Sequence, residues 1–141
     1  MCGIAAIWDW SRKEIPFKRL STMVRAQMHR GPDGHGYAVW GHRSDLQWPL
    51  VWRGPNVASP HIDLSSMRLG LGHNLLAIQD TGPAARQPMT VGRERYWIVF
   101  NGEIYNFVEL RSELVAEGFH FSSSSDTERS EERRVGKECR L

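Results

Sequence analysis

The chain has 141 residues, of which 40% are hydrophobic and six are tryptophan, and a formal net charge of +2. That length suits one domain with its own core, the composition excludes a disordered chain, and no apolar run approaches about 18 residues, so no helical membrane span is expected. The charge excess is local: residues 129–141 hold five of the eighteen Lys/Arg and three of the sixteen Asp/Glu, which leaves 1–128 neutral and without a basic patch for nucleic acid.

The first element, "CGIAAIW", reads as a buried strand over 2–8. It lacks a basic leading region and its apolar run stops at Asp9, so it is a poor signal peptide and a cytoplasmic location is expected. Cys2 stands directly behind Met1. One reading is a small buried residue or half of a disulfide with Cys139. The other is a nucleophile: removal of Met1 leaves a thiol and a free α-amine on one residue. An α-amine titrates near pH ~8 and can serve its own side chain as a base.

Residues 17–28 place Phe17, Leu20, Met23, Val24 and Met28 at near-helical spacing, with Pro16 at the start. "HRGPDGHG" follows, a tight loop that is either a plain turn or a wall around the thiol. "GYAVW" and "LQWPLVW" read as strands, the second demoted towards a sheet edge by Pro49. "RLGLGHNLLAI" and "RYWIVF" are further strands, separated by a Gly/Pro-bearing stretch over 80–93. "NGEIYN" then offers the Asn101 amide and the Gly102 N–H, the two donors an oxyanion hole needs, or simply an Asn-Gly turn. The next helix starts at Asn106, with Glu109 completing a capping-box-like pair, Leu110 and Leu114 on one face and Gly118 as its stop. In "SDTE", Asp126 is either a partner for a ligand ammonium or a solvated acid. Strands with segregated helices argue for a layered α+β domain.

The segment 129–141, "RSEERRVGKECRL", has no helical or strand period and follows a serine run. Its first eleven residues resemble the in-frame translation of a common sequencing-library adapter. It is read as an artefactual, disordered tail, which leaves 1–128 as a partial domain and removes Cys139, and with it the disulfide.

Taken in order, "MCGI", "HRGPDG", "GHNLLAIQD…QPM", "NGEIYN" and "SDTE" resemble the glutaminase domain of asparagine synthetases, among the class II, N-terminal-nucleophile glutamine amidotransferases. The resemblance covers essentially all of 1–128. It implies a four-layer αββα sandwich, incomplete here, and a catalytic set of Cys2, Asn101 and Gly102. Cys2 would attack the glutamine side-chain amide, and Asn101 with the Gly102 N–H would hold the oxyanion. Glu103 and Asp126 would hold the glutamine α-amino group. The family arginine that clamps the α-carboxylate is replaced by Leu75, with Arg68 and Arg86 the nearest substitutes in sequence. No metal or cofactor is implied for this domain; ATP and Mg²⁺ belong to a synthetase domain that would follow in cis, in a parent compatible with a homodimer. Without the later strands the chain by itself is expected to be inactive. Residues 42–67 read as an inserted hairpin or lid with an exposed Trp pair. The alternative function is a non-catalytic relative that binds another amino acid or a partner protein through Leu75 and this insert.

Overall fold

The computed structural model describes residues 1–10, 15–41, 49–54, 67–77, 82–91, 94–121 and 127. Asp126, Trp48, most of the 42–67 insert and the 129–141 tail lie outside the described residues, and so do the readings made for them.

Four strands, β1 (Gly3–Trp8), β2 (Gly34–Gly41), β3 (Leu50–Gly54) and β4 (Met67–Leu75), form one antiparallel sheet in the order β1-β4-β2-β3. Residues directly opposite one another in such a sheet share a face. One rung is Ala5, Gly72, Tyr37 and Trp52; the next on the same face is Ile7, Gly70, Val39 and Leu50. This face receives the helix α1 (Phe17–Ala26), whose Phe17, Leu20 and Val24 are buried. Gly70 and Gly72 let the helix approach. A Cβ at Gly72 would stand 2.3 Å from Val24 Cγ2, and one at Gly70 2.7 Å from Leu20 Cδ2.

The opposite face carries the rung Ile4, His73, Gly36 and Arg53, followed by Ala6, Leu71, Ala38 and Val51. It meets a two-stranded antiparallel sheet of β5 (Met89–Val91) and β6 (Tyr96–Ile98). Trp40 and Trp97 pack edge to face across this boundary, 5.5 Å between ring centroids. The protein is thus a mixed α/β fold with helix, sheet and sheet stacked in that order. The last described helix, α2 (Phe107–Ala116), buries Leu110 and Leu114.

Several elements differ from their sequence expectation. The first helix ends at Ala26 and a 3-10 turn over Met28–Arg30 follows, which leaves Met28 exposed; Met23, within the helix, is exposed beside the buried stripe of Phe17, Leu20 and Val24. The third strand begins only after Pro49, at the sheet edge as expected. Trp52 is not part of an exposed pair: register puts it opposite Tyr37 on the helix side, with Phe17 and Tyr37 ring centroids at 5.2 and 5.4 Å. Among the described residues the exposed tryptophans are Trp8 and Trp10, stacked at 4.1 Å at the end of the edge strand β1. β5 lies within the stretch read as a plain connection. Asn106 precedes α2 but makes no side-chain capping bond, because its φ of −92° and ψ of 32° depart from the extended geometry that aims a cap at the first turn. Gly118 stops the helix at φ +92°, as expected.

Candidate functional site

Cys2 is half-buried at the entrance to β1, with its thiol free. The Leu76 N–H, just past β4, donates to Cys2 Sγ at 3.3 Å, and the thiol lies 3.9 Å from the Leu76 carbonyl oxygen. Side-chain bonds to α1 and its end hold both the start of β1 and the end of β4. The Gln27 amide donates to the carbonyls of Ile4 (3.1 Å) and Met23 (3.3 Å). Buried Asn74 donates from Nδ2 to the Val24 carbonyl at 2.7 Å, tying the end of β4 to α1.

The "HRGPDG" loop reaches this place through the backbone of β4. Asp33 N–H donates to the Leu75 carbonyl at 3.0 Å, and Ala77 N–H donates to Asp33 Oδ2 at 2.8 Å. At Gly31 a Cβ would stand 2.4 Å from the Asn74 carbonyl oxygen, so only glycine lets the loop lie this close. Residues 75, 76 and 77 are therefore bound in turn to Asp33, Cys2 and Asp33. The loop frames the thiol at one remove.

Asn101 and Gly102 are placed by the residue before them. Phe100 N–H donates to Gln87 Oε1 at 2.5 Å, and His73 Nε2 lies 3.3 Å from the Phe100 carbonyl oxygen. Gln87 is buried, precedes a cis peptide bond to Pro88, and donates from Nε2 to Thr127 Oγ1 at 3.3 Å. Burial pulls the His73 pKa down to about 4, the bond to Phe100 opposing it, so the ring is neutral at physiological pH. A carbonyl oxygen cannot donate, so Nε2 carries the hydrogen; Nδ1 has no hydrogen-bond partner among the described residues. Gly102 is exposed, and a Cβ there would stand 2.6 Å from the Phe100 ring. Glu103 is exposed.

Leu75 is half-buried beside Cys2's partner Leu76 and lies on the same sheet face as His73 and Arg53. Arg68 cannot stand in for a cation there. It lies at the other end of β4, roughly 23 Å away at the strand rise. Arg86 is held through its carbonyl, which accepts from Arg53 Nη1 at 3.1 Å. Burial lowers the Arg53 pKa from its ordinary value. His73, Asn74, Gln87 and Arg53 were not singled out from the sequence as site residues. Their only local signal is a polar residue within an apolar strand or beside a proline.

Among the described residues no group of three or more His, Cys, Asp or Glu could hold a metal ion, and no helix is long and apolar enough to cross a membrane. The glutamine amidotransferase domain family matches residues 44–131. The chain belongs to that family. The matched span contains Leu75, Asn101, Gly102, Glu103 and Asp126, with Cys2 preceding it. Similar proteins include two glutamine-hydrolyzing asparagine synthetases of Bacillus subtilis strain 168, numbers 1 and 3. Each is 33% identical over 91% of the chain, which covers 16% and 17% of their respective lengths. A glutamine–fructose-6-phosphate aminotransferase (isomerizing) of Corynebacterium glutamicum is 45% identical, again over 91% of the chain and 22% of that protein. The amidotransferase chain thus spans about a sixth to a fifth of the length of these relatives.

Proposed function

We propose that this amidotransferase domain carries a glutamine-hydrolysing site with Cys2 as its nucleophile. The observation that carries the reading is the placement of the thiol. Its partner Leu76 lies three residues beyond His73, which holds the residue before Asn101 and Gly102. One strand end thus serves both a nucleophile and a pair of oxyanion donors.

After removal of Met1, the Cys2 α-amine takes the thiol proton and the sulfur attacks the side-chain amide carbon of glutamine. Asn101 Nδ2 and the Gly102 N–H receive the developing oxyanion, at roughly 3–4 kcal/mol per donor. The α-amine returns the proton to the leaving nitrogen as ammonia departs. Water then cleaves the thioester, giving glutamate and the free thiol. Glu103 and Asp126 hold the substrate ammonium. The net reaction is glutamine plus water to glutamate plus ammonia.

The "HRGPDG" and "NGEIYN" motifs, with relatives named as asparagine synthetases, favour the asparagine-forming branch. There the ammonia would amidate aspartate in a following domain that uses ATP and Mg²⁺. Leu75 favours a second reading, a non-catalytic domain for another ligand, because an arginine–carboxylate contact contributes about 1.5–3 kcal/mol.

The natural gene product should release glutamate from glutamine, and Cys2→Ala should abolish that release. Leu75→Arg should lower KM on the order of tenfold with kcat little changed, the mark of restored uniform binding. No glutamate release from the wild type, with Leu75→Arg equally inert, would decide for the second reading.

A further inference from the structure

Phe100 sits where the chain has left the β5–β6 ladder, which ends at Ile98. Half-buried backbone groups there need partners from elsewhere. Both come from buried side chains on different elements: His73 on β4 for the carbonyl, and Gln87 ahead of β5 for the N–H. The Gln87 amide orientation is fixed by its two contacts, since Oε1 must accept from Phe100 and Nε2 is left to donate to Thr127. Neither residue approaches the thiol among the described contacts.

A peptide unit is planar. Holding the Phe100 carbonyl therefore fixes the direction of the Asn101 N–H and the position of the Asn101 Cα in the same plane. The Gln87 bond fixes the preceding plane, so the chain enters Asn101–Gly102 from a set orientation. The same β4 that supplies His73 supplies, three residues later, the N–H against Cys2 Sγ. The N–H against the thiol and the hold on Phe100 thus come from one strand and two side chains. Gly36 makes room for the arrangement: a Cβ there would stand 1.8 Å from the Gln87 carbonyl oxygen.

We infer that His73 and Gln87 are positioning residues that clamp the Phe100 backbone and thereby preset Asn101–Gly102 for oxyanion binding, a role that rests on the glutamine-hydrolysing reading above. Neither side chain bonds to the thiol among the described contacts. They act through the peptide planes on either side of Phe100.

The test has two arms. In the 141-residue chain, amide NMR reads the Asn101 and Gly102 resonances directly. His73→Asn removes the donor at the Nε2 position while keeping a polar side chain, and should move or broaden both resonances. His73→Gln places an amide donor near the Nε2 position and should restore them. In the natural gene product, His73→Asn should lower kcat on the order of 100-fold with KM little changed, as expected for misplacement of reacting groups, and His73→Gln should recover most of the loss. Gln87→Met removes the acceptor for Phe100 N–H from the other side; it should give the same pattern and replaces His73→Asn if that variant does not fold. Unchanged 101–102 resonances in a folded His73→Asn or Gln87→Met variant overturn the inference, as does a His73→Gln variant no better than His73→Asn. If the resonances respond as expected but the wild type hydrolyses no glutamine, the clamp stands and the glutamine-hydrolysing reading falls.

Discussion

Among the described residues, His73 has the pKa moved furthest from its ordinary value. Burial holds its pKa at about 4 against an ordinary value of 6.5. The unfolded chain therefore binds a proton between those values that the folded chain refuses, and stability rises with pH across that window. The contribution is complete above about pH 6.5 and is lost as the pH falls towards 4, on the order of 3 kcal/mol in all. Urea denaturation near pH 7 and near pH 4.5 should show the wild type losing about 2–3 kcal/mol more than His73→Gln. Equal losses in the two proteins would mean that the ring is protonated in the folded state. The sequence exposes only half of this residue scale. Asn101 and Gly102 are legible because turn chemistry and donor chemistry both lie in two adjacent residues. His73 and Gln87 are not, because each takes its meaning from Phe100, 27 and 13 positions away. Nothing local announces such a contact.

At the scale of elements, the contact of the two sheets passes through a glycine. Gly36 faces Gln87 so closely that a methyl group must displace the segment ahead of β5. Gly36→Ala should destabilise the domain by about 1–3 kcal/mol or more, lowering the melting temperature by several degrees. Gly118→Ala is the comparison: no atom would meet its Cβ within 4 Å, and only the positive φ opposes the change, at about 1–2 kcal/mol. A Gly36→Ala protein that melts with the wild type would show that the Gln87 segment is not held against β2. The apolar stripe of α1 is readable from spacing, because Phe17, Leu20 and Val24 recur at helical intervals and are buried. β5 was not readable. Three residues, Met89–Val91, are too few to display alternation, and their pairing with β6 is what makes them a strand. Trp52 shows the same limit, since only the register with β2 reveals which face it takes.

Over the whole molecule, the helix–sheet–sheet stack puts the candidate nucleophile and the approach to Asn101–Gly102 at one end of β4, with α1 on the far side. The neutral charge balance of residues 1–128 accords with a small-molecule site rather than a polyanion partner. Glutamine hydrolysis from Cys2 requires that the residue be the mature N-terminus, and this can be read by mass. The intact natural gene product should be measured before and after treatment with a diazoketone analogue of glutamine. The expected result is a protein beginning at Cys2, a single adduct on that thiol, protection by excess glutamine, and no adduct in Cys2→Ala. Glutamine hydrolysis by protein that retains Met1, or hydrolysis that persists in Cys2→Ala, would contradict Cys2 as the nucleophile.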